Sequence, residues 1–579
     1  MTRPIDLLRQ GRREELWQMC CGFLDLSLEQ FMSIQKRLLL EQIELLKNCE
    51  LGRKVMRGAM PETVEEFREQ VPLTKYGDYC PELLERRENV LPAKPAYWVH
   101  TLGKFGEPVY EEGVLPAELA HWIRILGRFG EYLCKWVPIS DGFAVEYEKV
   151  AGALPLLATC RGRGDTSQLK EHKKALYIVG PQTYASGVLG SLVQQATGYD
   201  LLPANSDGMS FQQRIRVGLE EALYRGIDSV NAIPSVLVYV GEQINQQSGL
   251  INSRLLLSHP QALFRVIRAL IRSKLAHRPM LPKDIWSIEV IVVGGTDSGT
   301  FRKRVKELWG KEPLEVYAGA EGGLYATQTW DYEGMTFVPN LNFFEFIPEG
   351  EWLKWQLDHS YQPRTVLVDE VKAGENYEIV ITNLHGGVLA RHRMGDMVKI
   401  TSLHNDKLNI DIPQMVFYNR SDELIDISGF GRITEKIIWK AIENTGIPYV
   451  DWAAHKEVVN DKPLLHLYLE LKNNYIASEK GVAAAVYEEL RKLDRTYRYN
   501  IYAAYGDPET MLGSKPIQVS FLPTGAFANY ISQRQAEGAD LAHLKPPHVN
   551  PSDKVLSLLG APRVVVEAVP AVEAERARV

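Results

Sequence analysis

In FMSIQKRLLLEQIELLKN, residues 31–48, apolar positions recur every three or four residues, with Ile34, Leu38, Ile43 and Leu46 on one stripe flanked by Lys, Gln and Glu. This period predicts helices over residues 14–57 that dock through the stripe. From about 60 to 330, helical stretches alternate with short β-branched runs such as SIEVIVVGG (287–295) and LEVYAG (314–319). That alternation predicts an α/β sheet of mainly parallel strands, whose following loops are the usual ligand positions. Between 336 and 402 the strands crowd together: TFVPNLNFFEFIP, RTVLVDEV, YEIVITN and DMVKITS, with turns at Gly374 and Gly386–Gly387. They predict a small antiparallel sheet or barrel. Beyond 420, LLHLYLELK sets Leu465, Leu467, Leu469 and Leu471 on one face, a helix follows through Val482, Val486, Leu490 and Leu493, and PIQVSFL alternates again.

The expected fold class is therefore α/β, with a large N-terminal domain and a smaller α+β C-terminal domain. The boundaries fall at 1–60 for a helical segment packing on the large domain, 61–418 for that domain, and 419–549 for the small one. Residues 550–579, rich in Ala, Val, Pro and Glu, read as a flexible tail.

Composition narrows the function classes. The 579 residues, 45% hydrophobic and 24% charged, exceed what one core serves. The net charge of -7 and the lack of a Lys/Arg block interleaved with aromatics give a nucleic-acid groove little support, so no nucleic-acid partner is expected. The N-terminus carries no long apolar core, and no other apolar run approaches a membrane span, so no membrane partner and a cytoplasmic location are expected. The six cysteines form no CxxC pair and no Cys/His ligand spacing, as in a protein with reduced, mostly buried thiols. HExxH and GxSxG are both absent.

Five stretches carry candidate chemistry. VHTLGKFGEPVYEEG (99–113) has the glycine rhythm of a phosphate-wrapping loop at Gly103 and Gly106. VYAGAEGGLYA (316–326) follows a strand and sets Glu321 among small residues, so backbone can approach a ligand while the acid reaches a magnesium ion. In LARHRMGDMVKI (389–400), Asp396 can accept both hydroxyls of a ribose. FYNRSDELIDISGFGRITEKII (417–438) places Arg420 and Asp422 at the domain boundary, and Lys545 precedes the stiff Pro546–Pro547 pair. Taken singly, each also has an ordinary structural reading: a small-residue turn, a strand-capping aspartate, solvated linker charges, a surface lysine. TYASGVLGSLV (183–193) and IPSVLVYVG (233–241) fit an acyl pocket or plain core.

Together the stretches resemble the adenylate-forming ligase superfamily, and within it the auxin-responsive-promoter (Gretchen Hagen) family of acyl-acid amido synthetases. The likeness runs from VPLTKYGDY (71–79) through Thr101–Pro108, YASGVLGS, IEVIVVGG, EVYAGAEGG, NFFEFIP and RMGDMV to LKPPH (544–548). NRSDELIDISGFGRI resembles the interdomain motif of the wider superfamily. The resemblance implies an adenylate-forming domain with a C-terminal lid, ATP and Mg2+ as cofactors, and a small carboxylic acid and an amine or amino acid as partners. It also implies roles for individual residues. Thr101, Gly103, Lys104 and Gly106 face the ATP phosphates, while Gly294 and Gly295 back the adenine. Tyr317 and Ala320 contact the nucleotide, Asp396 and Arg420 hold the ribose, and Asp422 is the hinge. Glu321 binds magnesium and, with Lys545, carries catalysis.

The chain departs from the family pattern at Leu102, Lys104 and Phe105, where Ser and Thr are usual. It departs again at Val109, at Gly319 and Ala320, and at His548, which stands for an arginine. A hydrogen bond to a charged group is worth about 1.5–3 kcal/mol, so each lost hydroxyl weakens phosphate binding roughly 10- to 150-fold unless replaced. Backbone amides of a glycine turn, with Lys104, can replace them. Three readings stay open: an ATP-dependent acid–amine ligase, a catalytically degenerate homologue that binds nucleotide or a partner, and an adenylate-forming ligase that passes its acyl group to a thiol.

Overall fold

The computed structural model describes residues 2–100, 135–180, 184–206, 209, 211–245, 253–295, 298–358, 360–420, 424–427, 431–459, 462–472, 476–493, 516–536 and 548–562. Thr101, Gly103, Lys104, Gly106, Asp422 and Lys545 lie outside the described residues. The chain divides into two compact units, one built mainly on residues up to Asp422, the other on Ile433–Asp494 and the segment from Leu512.

In the first unit, β1 (Pro95–His100) and β2 (Trp136–Ser140) form an antiparallel pair. A large sheet holds β3 (Lys174–Ile178), β4 (Asp200–Leu202), β5 (Ser229–Ala232), β6 (Val290–Gly294), β7 (Leu314–Gly319), β8 (Gly323–Thr327) and β9 (Met335–Phe337). It continues with β10 (Asn342–Pro348), β11 (Asn376–Asn383), β12 (His392–Ser402) and β13 (Gln414–Arg420). The order is β10-β11-β12-β13-β9-β8-β7-β6-β5-β3-β4. Strands β3 to β7 pair in parallel, as the helix–strand alternation predicts.

The crowded strands of 336–402 are antiparallel, but they continue the same sheet instead of closing into one of their own. The chain reverses after β7, β8 pairs back on it, and β9 and β13 carry the ladder onward. The residues are suited to an interior sheet: Asn342–Ile347 are buried at every position, Glu345 included, so both faces are covered. RTVLVDEV forms no strand beyond one bridge, Phe346 to Val366. The Glu370 carboxylate accepts the Leu367 N–H at 2.7 Å and turns the chain there.

The helix Leu28–Lys47 buries Leu38, Ile43 and Leu46 as expected, and Ser27 caps its N-terminus. Two of its glutamines, read above as part of the solvent flank, are buried. Gln35 Nε2 donates to Asn342 O at 2.7 Å and its Oε1 accepts Phe344 N–H at 2.9 Å. Gln42 bonds Gly387 O and Gly386 N–H at 2.7 and 2.8 Å. Their side chains satisfy backbone of the edge strand β10 and of the turn after β11.

The second unit contains a three-stranded sheet of Tyr449–Val459, Lys462–Leu471 and Ile517–Phe521. Leu465, Leu467 and Leu469 are buried on one face. His466, Tyr468 and Glu470 on the other are buried as well. Tyr468 packs with Phe527 and Tyr530 of the helix Ala526–Ala536 and with Val555 and Leu556 of the helix Asp553–Leu558. The expected flexible tail from 550 is therefore corrected over its first part, because Val555 and Leu556 give residues 553–558 an apolar face to bury. Residues 563–579 lie outside the described residues.

His548 sits in this unit between two acids, with Nδ1 2.5 Å from Glu435 Oε1 and Nε2 2.7 Å from Asp451 Oδ1, and it stacks on Trp452. Burial alone would lower its pKa, but the hydrogen bonds and charges of Asp451 and Glu435 raise it to about 9. The imidazolium thus stabilises the folded state fully below the unfolded value near 6.5, and that contribution disappears as pH rises through about 9. Denaturant unfolding at pH 6 and pH 9.5 is expected to show wild type losing on the order of 3 kcal/mol more than His548→Gln.

Candidate active site

The turn joining β7 to β8 carries Glu321, with Gly319 opposite Gly323. Gly323 has φ +69°, and a Cβ on Gly322 would lie 2.6 Å from Asn342 Oδ1 and from Tyr325 Cε1, so this turn needs its glycines. Two asparagines from neighbouring strands fix it. Asn342 Nδ2 donates to Gly322 O at 2.7 Å, and Asn383 Nδ2 donates to Glu321 O at 2.8 Å and to Asn342 Oδ1 at 2.9 Å. Gln35, reaching from the helix, holds the backbone of Asn342 in turn. Asn383→Ala leaves the Glu321 carbonyl without this donor; thermal or urea unfolding should show a loss of about 1–3 kcal/mol.

The Glu321 carboxyl stands in a charged setting. Burial would raise its pKa, but Lys135, then His392 when protonated, its own backbone N–H and Arg420 together hold it below the ordinary carboxylate value. His392 is 3% exposed, and its Nδ1 has no hydrogen-bond partner among the described residues. Burial pushes the imidazole down to about 4 against the pull of Glu321, with Lys135 adding to the fall, so it is neutral at pH 7. Glu321 is thus an anion, with cations supplied by Lys135 and Arg420.

Asp396 and Arg420 are direct cross-strand partners on β12 and β13. Arg420 Nη1 lies 3.0 Å from Asp396 Oδ1, and the Tyr317 hydroxyl donates to Asp396 Oδ2 at 2.7 Å. Burial first, and then the Asp396 charge, keep the Tyr317 phenol neutral and able to donate. Tyr317 also lines a cleft of about 690 Å³, together with Gly295, Val316 and Phe417. The aspartate pair is therefore connected, through one side chain, to a cavity large enough for a ligand of nucleotide size.

The fold brings Gly295, Tyr317, Glu321, Asp396 and Arg420 into one region, from the residue after β6, strands β7, β12 and β13, and the turn after β7. Gly294 ends β6 opposite Val316 and does not line the cleft. Ala320 is half-buried on the Glu321 turn. Gly319 gains an explanation: a Cβ there would meet the Tyr325 hydroxyl at 2.8 Å, so the room for a side chain is already filled. Motif reading missed Asn342, Asn383, Lys135 and His392. The available signal was polar: asparagines at the ends of apolar strands have no reason to be there unless they bond something.

A different polar chain lies in the second unit, where Glu457 accepts from His466 Nδ1 at 2.6 Å and His466 Nε2 is 2.8 Å from Ser520 Oγ. Ser520 is 6% exposed inside a strand, so this connectivity anchors the sheet and gives no substrate access.

Fold and site together define a mixed α/β protein with a Tyr–Asp–Arg anchor joined through Tyr317 to a cleft, and a charged glutamate on a glycine turn. Residues 21–100 match the GH3 family N-terminal domain and residues 335–420 the GH3 family central domain. These two segments are what the chain shares with the GH3 family. It is 29% identical over 276 residues to the jasmonoyl--L-amino acid synthetase JAR4 of Nicotiana attenuata, covering 45% of this chain and 44% of that protein. It is 25% identical over 240 residues to the 4-substituted benzoates-glutamate ligase GH3.12 of Arabidopsis thaliana, covering 39% and 38%. The chain thus spans less than half the length of these curated relatives. The solved AtGH3.15 acyl acid amido synthetase in complex with 2,4-DB aligns with 92% of this chain and 93% of its own, at 15% identity and a TM-score of 0.44. Among the described residues, no helix is long and apolar enough to cross a membrane.

Proposed function

We propose that this chain is an ATP-dependent acid–amine ligase that activates a small carboxylic acid as its acyl adenylate and transfers the acyl group to an amino acid or other amine. The observation that carries this is the Tyr317–Asp396–Arg420 anchor beside the cleft, with Glu321 held ionised close by. The adenine lies against Gly295 and Tyr317, which line the cleft, with Gly294 behind them at the end of β6 and Ala320 beside the nucleotide. Asp396 accepts the ribose hydroxyls, and Arg420 fixes the carboxylate that does so. The loop bearing Thr101, Gly103, Lys104 and Gly106 faces the phosphates, Asp422 is the hinge, and Lys545 comes toward the reacting carboxylate. These last assignments rest on the sequence motifs.

Among the described residues, no group of three or more His, Cys, Asp or Glu side chains forms a metal cage of its own. One ionised carboxylate suits a magnesium ion that keeps its other positions for phosphate and water. Glu321 would hold that ion, which supplies neutralisation of phosphate charge. In the first half-reaction a carboxylate oxygen attacks the α-phosphorus and pyrophosphate leaves. In the second, the amine nitrogen attacks the acyl carbon, AMP leaves and the amine gives up a proton. Lys135 and Arg420 offset the anionic charge that both substrates bring into the cleft.

An amine acceptor is favoured over a thiol because the matched relatives are named for joining jasmonate or substituted benzoates to amino acids. The five described cysteines are free, which suits a reaction in the cytoplasm, where ATP is available. Incubating the purified protein with ATP, magnesium, hydroxylamine and a panel of aromatic and aliphatic acids should yield hydroxamates. No hydroxamate or AMP with any acid, while nucleotide still binds, would instead support the degenerate homologue.

A further inference from the structure

The helix Pro260–Leu275 is built inside out. Its inward stripe is made of small residues, with Ala262, Val266, Ala269 and Ser273 buried. Its large apolar side chains face solvent: Phe264 is 67% exposed, Ile267 46%, Leu270 36%, Ile271 54% and Leu275 75%, and Leu257 just before it is 83% exposed. These positions recur every three or four residues, so they form one continuous stripe. Together they leave roughly 700 Å² of apolar surface uncovered, above the ~300–600 Å² of the largest patch on a typical monomer. It is also close to the ~800 Å² each partner of a stable pair buries.

Three of the four cations on this helix contact backbone carbonyls of neighbouring segments. Arg265 Nη1 donates to Leu223 O and Tyr224 O, both at 2.7 Å; Arg268 Nη2 donates to Ile285 O at 3.2 Å; Arg272 Nη1 lies 3.5 Å from Asp284 O. An anionic membrane surface would need those guanidiniums around the apolar face. We infer that a second copy of this chain covers the stripe, through an antiparallel pairing of the two helices about a two-fold axis near Ile267. The helix contains no acidic residue, and its last turn carries two exposed cations, Arg272 and Lys274. A parallel pair would set Lys274 against its own copy. The antiparallel pair separates the two by roughly 20 Å along the axis, beyond the ~8 Å screening length. An isologous contact of this kind closes at two subunits.

The test is light scattering of the full chain over a concentration series from ~1 to ~100 µM, spanning ordinary dimer affinities. Wild type is expected to pass from monomer to dimer mass. Ile271→Arg and Phe264→Glu should each raise the dissociation constant at least ~30-fold while leaving circular dichroism unchanged. Two results overturn the proposal: monomer mass for wild type throughout the range, or a dimer that both folded variants leave intact. Co-flotation of a monomeric wild type with phosphatidylserine vesicles would overturn it in favour of a membrane surface.

Discussion

Replacing Asp396 with alanine removes adenine-nucleotide binding. The carboxylate is proposed to accept both ribose hydroxyls, and hydrogen bonds to a charged group are worth about 1.5–3 kcal/mol each, so the loss is roughly 3–6 kcal/mol, or 10²- to 10⁴-fold in Kd. The effect extends beyond the two bonds. Tyr317 and Arg420 both bond this carboxylate, at 2.7 and 3.0 Å, and Tyr317 shapes the cleft wall. Alanine removes the carboxylate that a buried phenol and a mostly covered guanidinium both contact, so the anchor loses position as well as charge. Asp396→Asn keeps the shape and separates the contributions: it should retain the cleft and most of the folding stability, yet bind nucleotide more weakly than wild type. Calorimetric titration of the two variants with ATP, together with their melting curves, checks both statements.

Glu321→Gln has the second large effect, and on a different step. Glutamine preserves the volume and the backbone bonds to Asn383 and Asn342, because those are made by the carbonyls of Glu321 and Gly322. What is removed is the charge that Lys135 and Arg420 help to maintain. Acid-dependent pyrophosphate exchange is expected to fall about 10²- to 10³-fold, as when one preorganised electrostatic group is deleted from an active site. Nucleotide affinity measured without magnesium should stay within a few-fold of wild type. Loss of affinity under those conditions would make Glu321 part of the binding surface instead.

Much of this arrangement was legible in the residue pattern because each part is local. The runs that became β6 and β7 are short, β-branched and end in glycine, and the Ala and Gly residues around Glu321 after β7 read as a tight turn. Asp396 follows a glycine inside a strand, and Arg420 is its cross-strand neighbour only once β12 and β13 are paired. The supporting residues were not legible, for a physical reason. Hydrophobic periodicity tells which face of Leu28–Lys47 is buried but assigns Gln35 and Gln42 by polarity alone, whereas their burial follows from edge-strand and turn backbone far away in the chain. Lys135 and His392 reach Glu321 from positions more than 70 residues distant on either side or across the sheet, so no spacing rule links them. The antiparallel strands read as a separate sheet because pairing partners, unlike strand propensity, depend on where the chain reverses after β7.

The exposed helix shows the opposite case. Its period is plain in the sequence, but period alone implies that the large apolar stripe faces the core. The inward stripe of Ala262, Val266, Ala269 and Ser273, with the arginines bonded to carbonyl oxygens, reverses that inference.

Whether ATP occupies the cleft beside Asp396 is best asked by calorimetric titration of the full chain with ATP and magnesium, run in parallel on Asp396→Ala. Saturable heat in wild type, absent from the folded variant at millimolar nucleotide, is the expected outcome. Wild type giving no heat, or the variant binding as tightly as wild type, would contradict it.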